Sequence, residues 1–211
     1  MRPIQLAASL GAALAIALAA PAMAAQAPIS KDPAASAPGT YQVDPNHVSV
    51  IARIGHAGGV SLSTFRFGKA AGTLNWQPAA VATSKIDITV DPGSISTTVE
   101  GFADELKGET FLNAAKYPEA KFVSTSVRQT GPTTAAVTGD FTFYGVTKPM
   151  TVNAEFFGGG RNGRGIPVIG FTGSGKFKRS EHGFTSMLPG IGDDVEIIFD
   201  LEFRQPAAPA A

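Results

Sequence analysis

The residues able to do chemistry are few, and their spacing says more about what is excluded. The chain has three histidines, His47, His56 and His182, and no cysteine. Without a thiol it has no cysteine nucleophile, no thiolate metal site and no iron–sulfur cluster. His47 and His56 stand nine apart in one run that reads as a β-strand, so a regular strand places them on opposite faces and denies them a shared metal. No H-x-H or H-E-x-x-H spacing is present. No G-x-S-x-G elbow is present either, and Gly173-Ser174-Gly175 falls inside a strand pattern with no following helix. Asp104 and Glu105 read as solvated partners of a helix N-terminus. Asp194, Glu196, Asp200 and Glu202 alternate along one strand and read as its wet face. The expectation is a non-enzyme with no metal and no cofactor. Lys plus Arg equal Asp plus Glu at 17 each, with no long basic run, so nucleic-acid binding has little support.

Phenylalanine supplies 14 aromatic side chains, against three tyrosines and one tryptophan. A Phe ring has no polar tip that needs a partner, so this bias suits a dry interior. Two interiors fit it: an ordinary packed β-core, or a cavity for an apolar ligand.

The elements that position these residues are strands. Val137 to Phe157 reads as a hairpin about Tyr144-Gly145, with Val137, Phe141 and Phe143 on one face of the first arm. Val146, Met150, Val152, Ala154 and Phe156 share a face of the second. Gly145 suits the positive φ of the turn. Pro149 falls on the wet face and requires an unpaired edge or a bulge. The strand His47 to His56 turns Val48, Val50, Ala52, Ile54 and His56 inward. Val60 to Phe67 shifts phase between Val60/Leu62 and Phe65/Phe67, which predicts a bulge near Ser63-Thr64. Gly72 to Trp76 adds a short strand. Lys85 to Asp91 directs Ile86, Ile88 and Val90 inward. Thr97 and Glu100 form a capping-box pattern before a helix carrying Phe102 and Leu106 and stopped at Gly108, and Thr110 to Ala115 reads as a second helical turn. Glu119 to Arg128 is a strand of ambiguous phase, with Phe122 set against Val123 and Val127.

Pro167 to Arg179 directs Ile169, Phe171, Gly173, Gly175, Phe177 and Arg179 to one face. The two inward glycines fit either unfilled volume for a ligand or close backbone approach at a bend. An inward Arg requires a partner or a wet mouth. Phe184 lies in the loop that follows. Asp193 to Arg204 closes the chain with Val195, Ile197, Phe199, Leu201 and Phe203 inward, and antiparallel pairing would bring Lys176 and Lys178 to its acidic stripe. Many short strands and little helix predict an all-β antiparallel barrel or sandwich, and roughly eight strands close a barrel that holds one small ligand.

At the N-terminus, Arg2, the apolar run Leu6 to Ala20 and Ala22-Met23-Ala24 read as a secretory signal peptide over 1–24. Residues 25–39 are rich in Ala, Pro and Ser and read as a disordered linker, as do 206–211 at the other end. One domain is expected over 40–205.

The ordered set Val43-Asp44-Pro45-Asn46-His47, Ser94 to Thr97, Phe111-Leu112-Asn113, Tyr117-Pro118, Phe122-Val123-Ser124, Gly139 to Pro149 and Arg179 with Gly183-Phe184 resembles the YceI-like family of exported, lipocalin-like proteins. The resemblance implies an eight-stranded antiparallel barrel with a short helical insert near one end. It also implies an isoprenoid or similar amphiphilic lipid, such as a polyprenyl phosphate or a quinone, held inside, and no catalysis. On that implication the ligand-binding residues are Val50, Ile54, His56, Ile88, Phe122, Phe141, Phe143, Met150, Val152, Phe171, Gly173, Gly175, Phe177, Arg179, Phe184, Ile197 and Phe199. Arg179 and His56, with inward parity at strand ends, are the head-group contacts. Ala52 stands where the family usually carries an aromatic. A periplasmic carrier with transient membrane contact follows, and the edge at Pro149 permits a homodimer. The rival expectation is a filled barrel that acts through its surface on a membrane or redox partner.

Overall fold

Period-two alternation runs through every long strand, and the fold turns it into a closed wall. The computed structural model describes residues 29–206. The strands are β1 (Gly39–His56), β2 (Ser61–Phe67), β3 (Ala70–Trp76), β4 (Lys85–Val90), β5 (Ile95–Ser96), β6 (Ala120–Gln129), β7 (Thr134–Phe143), β8 (Val146–Arg161), β9 (Pro167–Lys178) and β10 (Asp194–Arg204). One α-helix, α1 (Phe102–Lys107), lies between β5 and β6. All pairings are antiparallel. β3 and β2 pair in succession along β1, and β5 continues the path of β4 beside β2. Each of these pairs takes one place in the wall. The result is an eight-stranded barrel closed by β1 against β10. The all-β expectation holds.

The turn at Tyr144-Gly145 has φ of +52° and +78° and joins Phe143 directly to Val146. Two positive φ values in a two-residue loop match the right-handed twist of the arms. Pro149 is exposed and opposite Asp140, on a part of β8 that β9 does not reach, since that pairing begins at Val152. The missing N–H thus falls at a local edge. On β10, Asp194 faces Lys178 and Glu196 faces Lys176, with ion pairs of 2.9 and 3.7 Å. Exposed pairs of this kind contribute little to stability, because water and salt screen them.

Three local expectations are corrected. β2 carries no bulge, because its register against β1 is unbroken from Phe67 to Ser61. Val60 and Leu62 simply point outward and are exposed. The irregularities lie between Val43 and Val48, Ser124 and Ser126, and Phe156 and Gly158. The second of these explains the ambiguous phase of β6: Phe122 and Val127, five apart, both face inward while Val123 is exposed. The helix begins at Phe102 on a Gly101 N-cap with φ +76° and no side-chain cap, while Thr97 is only 3.4 Å from the Val99 N–H. Gly108 ends it as expected, but 110–115 forms hydrogen-bonded turns rather than a helix. β8 runs on as strand through Gly158–Gly160.

The signal-peptide expectation and most of the tail lie outside the described residues. The linker expectation is corrected where it can be seen. Residues 29–38 are strapped across the barrel end opposite α1. Ser30 pairs with Gly159, Lys31 lies over the Phe157 ring, and the Tyr41 hydroxyl donates to Ala37 O at 2.7 Å. Buried Ser36 accepts from the Trp76 indole N–H at 2.7 Å. Ala, Pro and Ser composition signals missing periodicity; here order comes from specific bonds and not from an amphipathic face.

Candidate functional site

The inward faces do not meet at the barrel axis. They enclose a cavity of about 660 Å³, within the 300–1,000 Å³ range of small-molecule sites. The walls are overwhelmingly apolar. Val50 and Ile54 of β1, Ile88 of β4, Phe122 of β6, Phe141 and Phe143 of β7, Met150 and Val152 of β8, Phe171 and Phe177 of β9, and Ile197 and Phe199 of β10 all line it. Ala52 lines it too, and its small side chain leaves room. At the helix-bearing end the lining includes His56, Ser63, Val99, Phe102, Glu105, Phe184 and Met187. At the strap end it includes Pro33, Trp76, Val81, Gln129, Pro132 and Thr134. Below the cavity the core is filled by Tyr41, Leu74, Trp76, Phe156, Ile169 and Phe203. Trp76 stacks on Phe156 with centroids 5.9 Å apart and meets Phe171 edge-on at 5.3 Å.

Two expected ligand contacts are corrected. Gly173 and Gly175 do not line the cavity; their missing side chains make room for neighbours. Phe199 sits directly across from Gly173 and lays its ring over it. A Cβ at Gly173 would fall inside contact distance of that ring and of the Asn153 carbonyl. At Gly175 a Cβ would come within 2.6 Å of the Met150 methyl and 2.8 Å of Val152. Close approach is therefore the right reading of the pair. Gly173→Ala is expected to destabilise the fold by about 1–3 kcal/mol through overpacking, read as a lower denaturant midpoint at unchanged m-value.

Arg179 lines the cavity, as expected of a head-group contact, but its guanidinium is turned to the backbone. β9 ends at Lys178, and Arg179 opens a short 3₁₀ turn, Arg179–His182. Its side chain touches the cavity, yet the residue is only 1% exposed. The guanidinium donates to four backbone carbonyls: Nε to Gly192, Nη1 to Phe184 and Ser186, and Nη2 to Ile191, at 2.7 to 3.2 Å. Burial pushes its pKa below the ordinary value, against the pull of the nearby Asp193 carboxylate. Asp193 is itself held by the Ser180 N–H and hydroxyl. Arg179 thus clamps the 184–192 loop, which forms part of the cavity mouth. His56 is exposed at that mouth. His182 is buried among the Phe141, Phe143 and Phe177 rings, with Nδ1 2.9 Å from Val146 O, and does not line the cavity.

Residues missed by sequence reasoning include Phe65 and Phe67 of β2 and Phe102 and Phe111 of the helical insert. The parity of Ser63, Phe65 and Phe67 was the available signal, and the supposed bulge obscured it. A polar cluster lies outside the barrel, where Asp44, His47 and Glu202 bring ligand-type atoms within 4.8 Å of one another. Asp44 accepts from the Asn46 N–H at 3.0 Å and sits 3.2 Å from His47 Nδ1. Burial pushes the Asp44 carboxyl up, but the Asn46 and His47 hydrogen bonds and the charge of Arg204 hold it below the usual carboxylate range. These bonds fix the β1 irregularity between Val43 and Val48.

A single eight-stranded antiparallel sheet, closed on itself around an apolar cavity, defines a lipocalin-like barrel. Residues 41–203 match the YceI-like domain. The chain is 34% identical over 164 residues to Protein YceI of Escherichia coli O157:H7, covering 77% of this chain and 85% of that protein. The chain therefore belongs to the YceI-like family. Among solved structures, Burkholderia cenocepacia BcnA superposes with a TM-score of 0.67 at 24% identity, over 76% of this chain and 98% of its own. A polyisoprenoid binding domain from Saccharophagus degradans superposes with a TM-score of 0.58 at 15% identity, over 79% and 98%. At these identities the structural matches establish the shared fold.

Proposed function

We propose that the barrel binds an isoprenoid or similar amphiphilic lipid in its interior and carries or sequesters it in the periplasm, without catalysing a reaction on it. The observation that carries this reading is the apolar cavity of about 660 Å³. The fold shared with a polyisoprenoid binding domain supports the ligand class, and the secretory pattern of residues 1–24 supports the compartment. Burial yields roughly 0.8 kcal/mol per CH₂, so one prenyl unit contributes a few kcal/mol before the ordering of tail and protein takes its share. A filled barrel acting only through its surface does not need this cavity.

The geometry favours a neutral head group. Among the described residues lining the cavity, Arg179 has four of its five donors engaged by carbonyls, and Glu105 brings an acidic group to the helix-end mouth. At the helix-end mouth, His56 and Ser63 offer donors suited to a quinone or alcohol oxygen. A polyprenol or quinone is expected to bind roughly tenfold more tightly than a polyprenyl phosphate of equal tail length. Competition against a fluorescent prenyl probe measures this, and tighter binding of the phosphate would refute the head-group assignment. The ligand class itself is tested by native mass spectrometry of protein purified from its own compartment, followed by solvent extraction. A discrete added mass extracting as a prenyl compound is expected. A clean unliganded mass, with no uptake of offered prenyl lipids, would defeat the carrier reading.

A further inference from the structure

We propose that the helix-bearing end of the barrel docks on a zwitterionic lipid bilayer through four exposed aliphatic side chains, Val60, Leu62, Val99 and Met187. This rests on the reading of the barrel as an amphiphile carrier, because such cargo must be exchanged with a lipid phase. The four are 85%, 55%, 60% and 61% exposed. They come from segments that hydrogen bonds gather at one end. Val60 follows the turn after β1, where the Gly58 N–H donates to Gly190 O at 3.0 Å. Leu62 stands opposite Gly55, whose carbonyl accepts from the Gly192 N–H at 2.8 Å. Met187 belongs to that same 184–192 loop. The loop is tied to the helical insert by the Ser186 hydroxyl, which donates to Thr110 O at 2.6 Å. Val99 lies just before α1, and its carbonyl accepts from the Phe102 N–H.

Three observations point to a bilayer. Val99 and Met187 are exposed and also line the cavity, so apolar surface continues from the rim into the interior. Met187 is held at φ +60°, a left-handed conformation that side chains with a Cβ adopt at a steric cost. It nevertheless stays 61% exposed, so burial offsets only part of that cost. Finally, the aliphatic groups project singly from turns and a short strand instead of forming a flat patch. A lipid interface receives such projections without shape complementarity, whereas a protein partner needs it. The insert around Val99 carries Glu100, Asp104, Glu105 and Glu109 against Lys107. That acidic excess opposes an anionic membrane surface, which attracts basic segments. Binding is therefore expected to favour neutral vesicles and to change little with salt.

The opposite end supplies an internal control, since Ile29 and Phe157 are exposed apolar residues on the strap side. The experiment is flotation of the purified protein with phosphatidylcholine vesicles. The double variant Val60→Asp/Leu62→Asp is chosen because neither residue lines the cavity. It is expected to lose vesicle binding by about tenfold or more, while taking up a detergent-dispersed fluorescent prenyl probe as the parent does. The control Ile29→Asp/Phe157→Asp is expected to bind vesicles like the parent. The proposal is overturned if the parent binds only anionic vesicles and salt releases it, if the Val60/Leu62 variant binds undiminished, or if the strap-end control loses binding instead. Vesicle binding without any prenyl uptake would remove the cargo reading and leave this docking surface standing.

Discussion

Arg179→Ala is expected to destabilise the protein by about 3–5 kcal/mol, among the largest effects a single substitution produces. The truncation deletes four charge-assisted hydrogen bonds at once. It strands the carbonyls of Phe184, Ser186, Ile191 and Gly192, whose shared donor sits at a site only 1% exposed. Unsatisfied buried acceptors are what make such a loss large. For a domain of this size the melting temperature should fall by roughly 10 °C. Arg179→Lys is expected to recover less than half of the loss. An ammonium offers its three donors from one point, whereas the guanidinium reaches Gly192 and Ile191 on one side and Phe184 and Ser186 on the other. Thermal and denaturant unfolding of the three proteins decides the matter. Unchanged stability with altered head-group selectivity would return Arg179 to the role of ligand contact and refute the clamp.

The history of this one residue shows how far alternation can be read. Parity places every second residue of a strand on one face only while the strand lasts. β9 stops at Lys178, so the inward phase that holds for Ile169, Phe171 and Phe177 does not define the surroundings of Arg179. Where strands run straight, the sequence pattern names the wall directly: Ile88 on β4, Val152 on β8, and Ile197 and Phe199 on β10 all face the cavity. Where a bulge intervenes, the pattern signals an irregularity without placing it. The phase change in β6 is real and lies at Ser124–Ser126, while the apparent one in β2 arises from two aliphatic residues left in solvent. The glycine pair was legible as inward but not as filled. The side chains that occupy its space come from β8 and β10, and their reach depends on register, which alternation within one strand does not contain. The strap was illegible for a further reason. Its order rests on single bonds such as Trp76 to Ser36, between segments 40 residues apart, and composition holds no record of them.

The same logic of volume gives the strongest test of the interior. Ala154 is a small residue of β8, opposite Ala135 and Gly173, half-buried and facing the cavity. Ala154→Trp sends an aromatic ring into space that no protein atom fills. Prenyl-lipid affinity is expected to fall by more than about tenfold, because the ring displaces several methylene-sized contacts from the tail's path. Stability is expected to rise by about 0.5–2 kcal/mol, since cavity-lining atoms gain partners they lacked. The opposite signs are the diagnostic feature. A packed core would respond to the same substitution with overpacking and a loss of about 1–3 kcal/mol. A tail bound on the outer surface would leave affinity untouched. Parallel measurement of the melting temperature and of prenyl-probe binding therefore separates three interiors. Stabilisation with loss of binding marks an empty channel used by a ligand. Destabilisation marks a filled barrel. Stabilisation with full binding marks a cavity that the tail does not enter along β8, and that outcome would refute the site described here while leaving the fold intact.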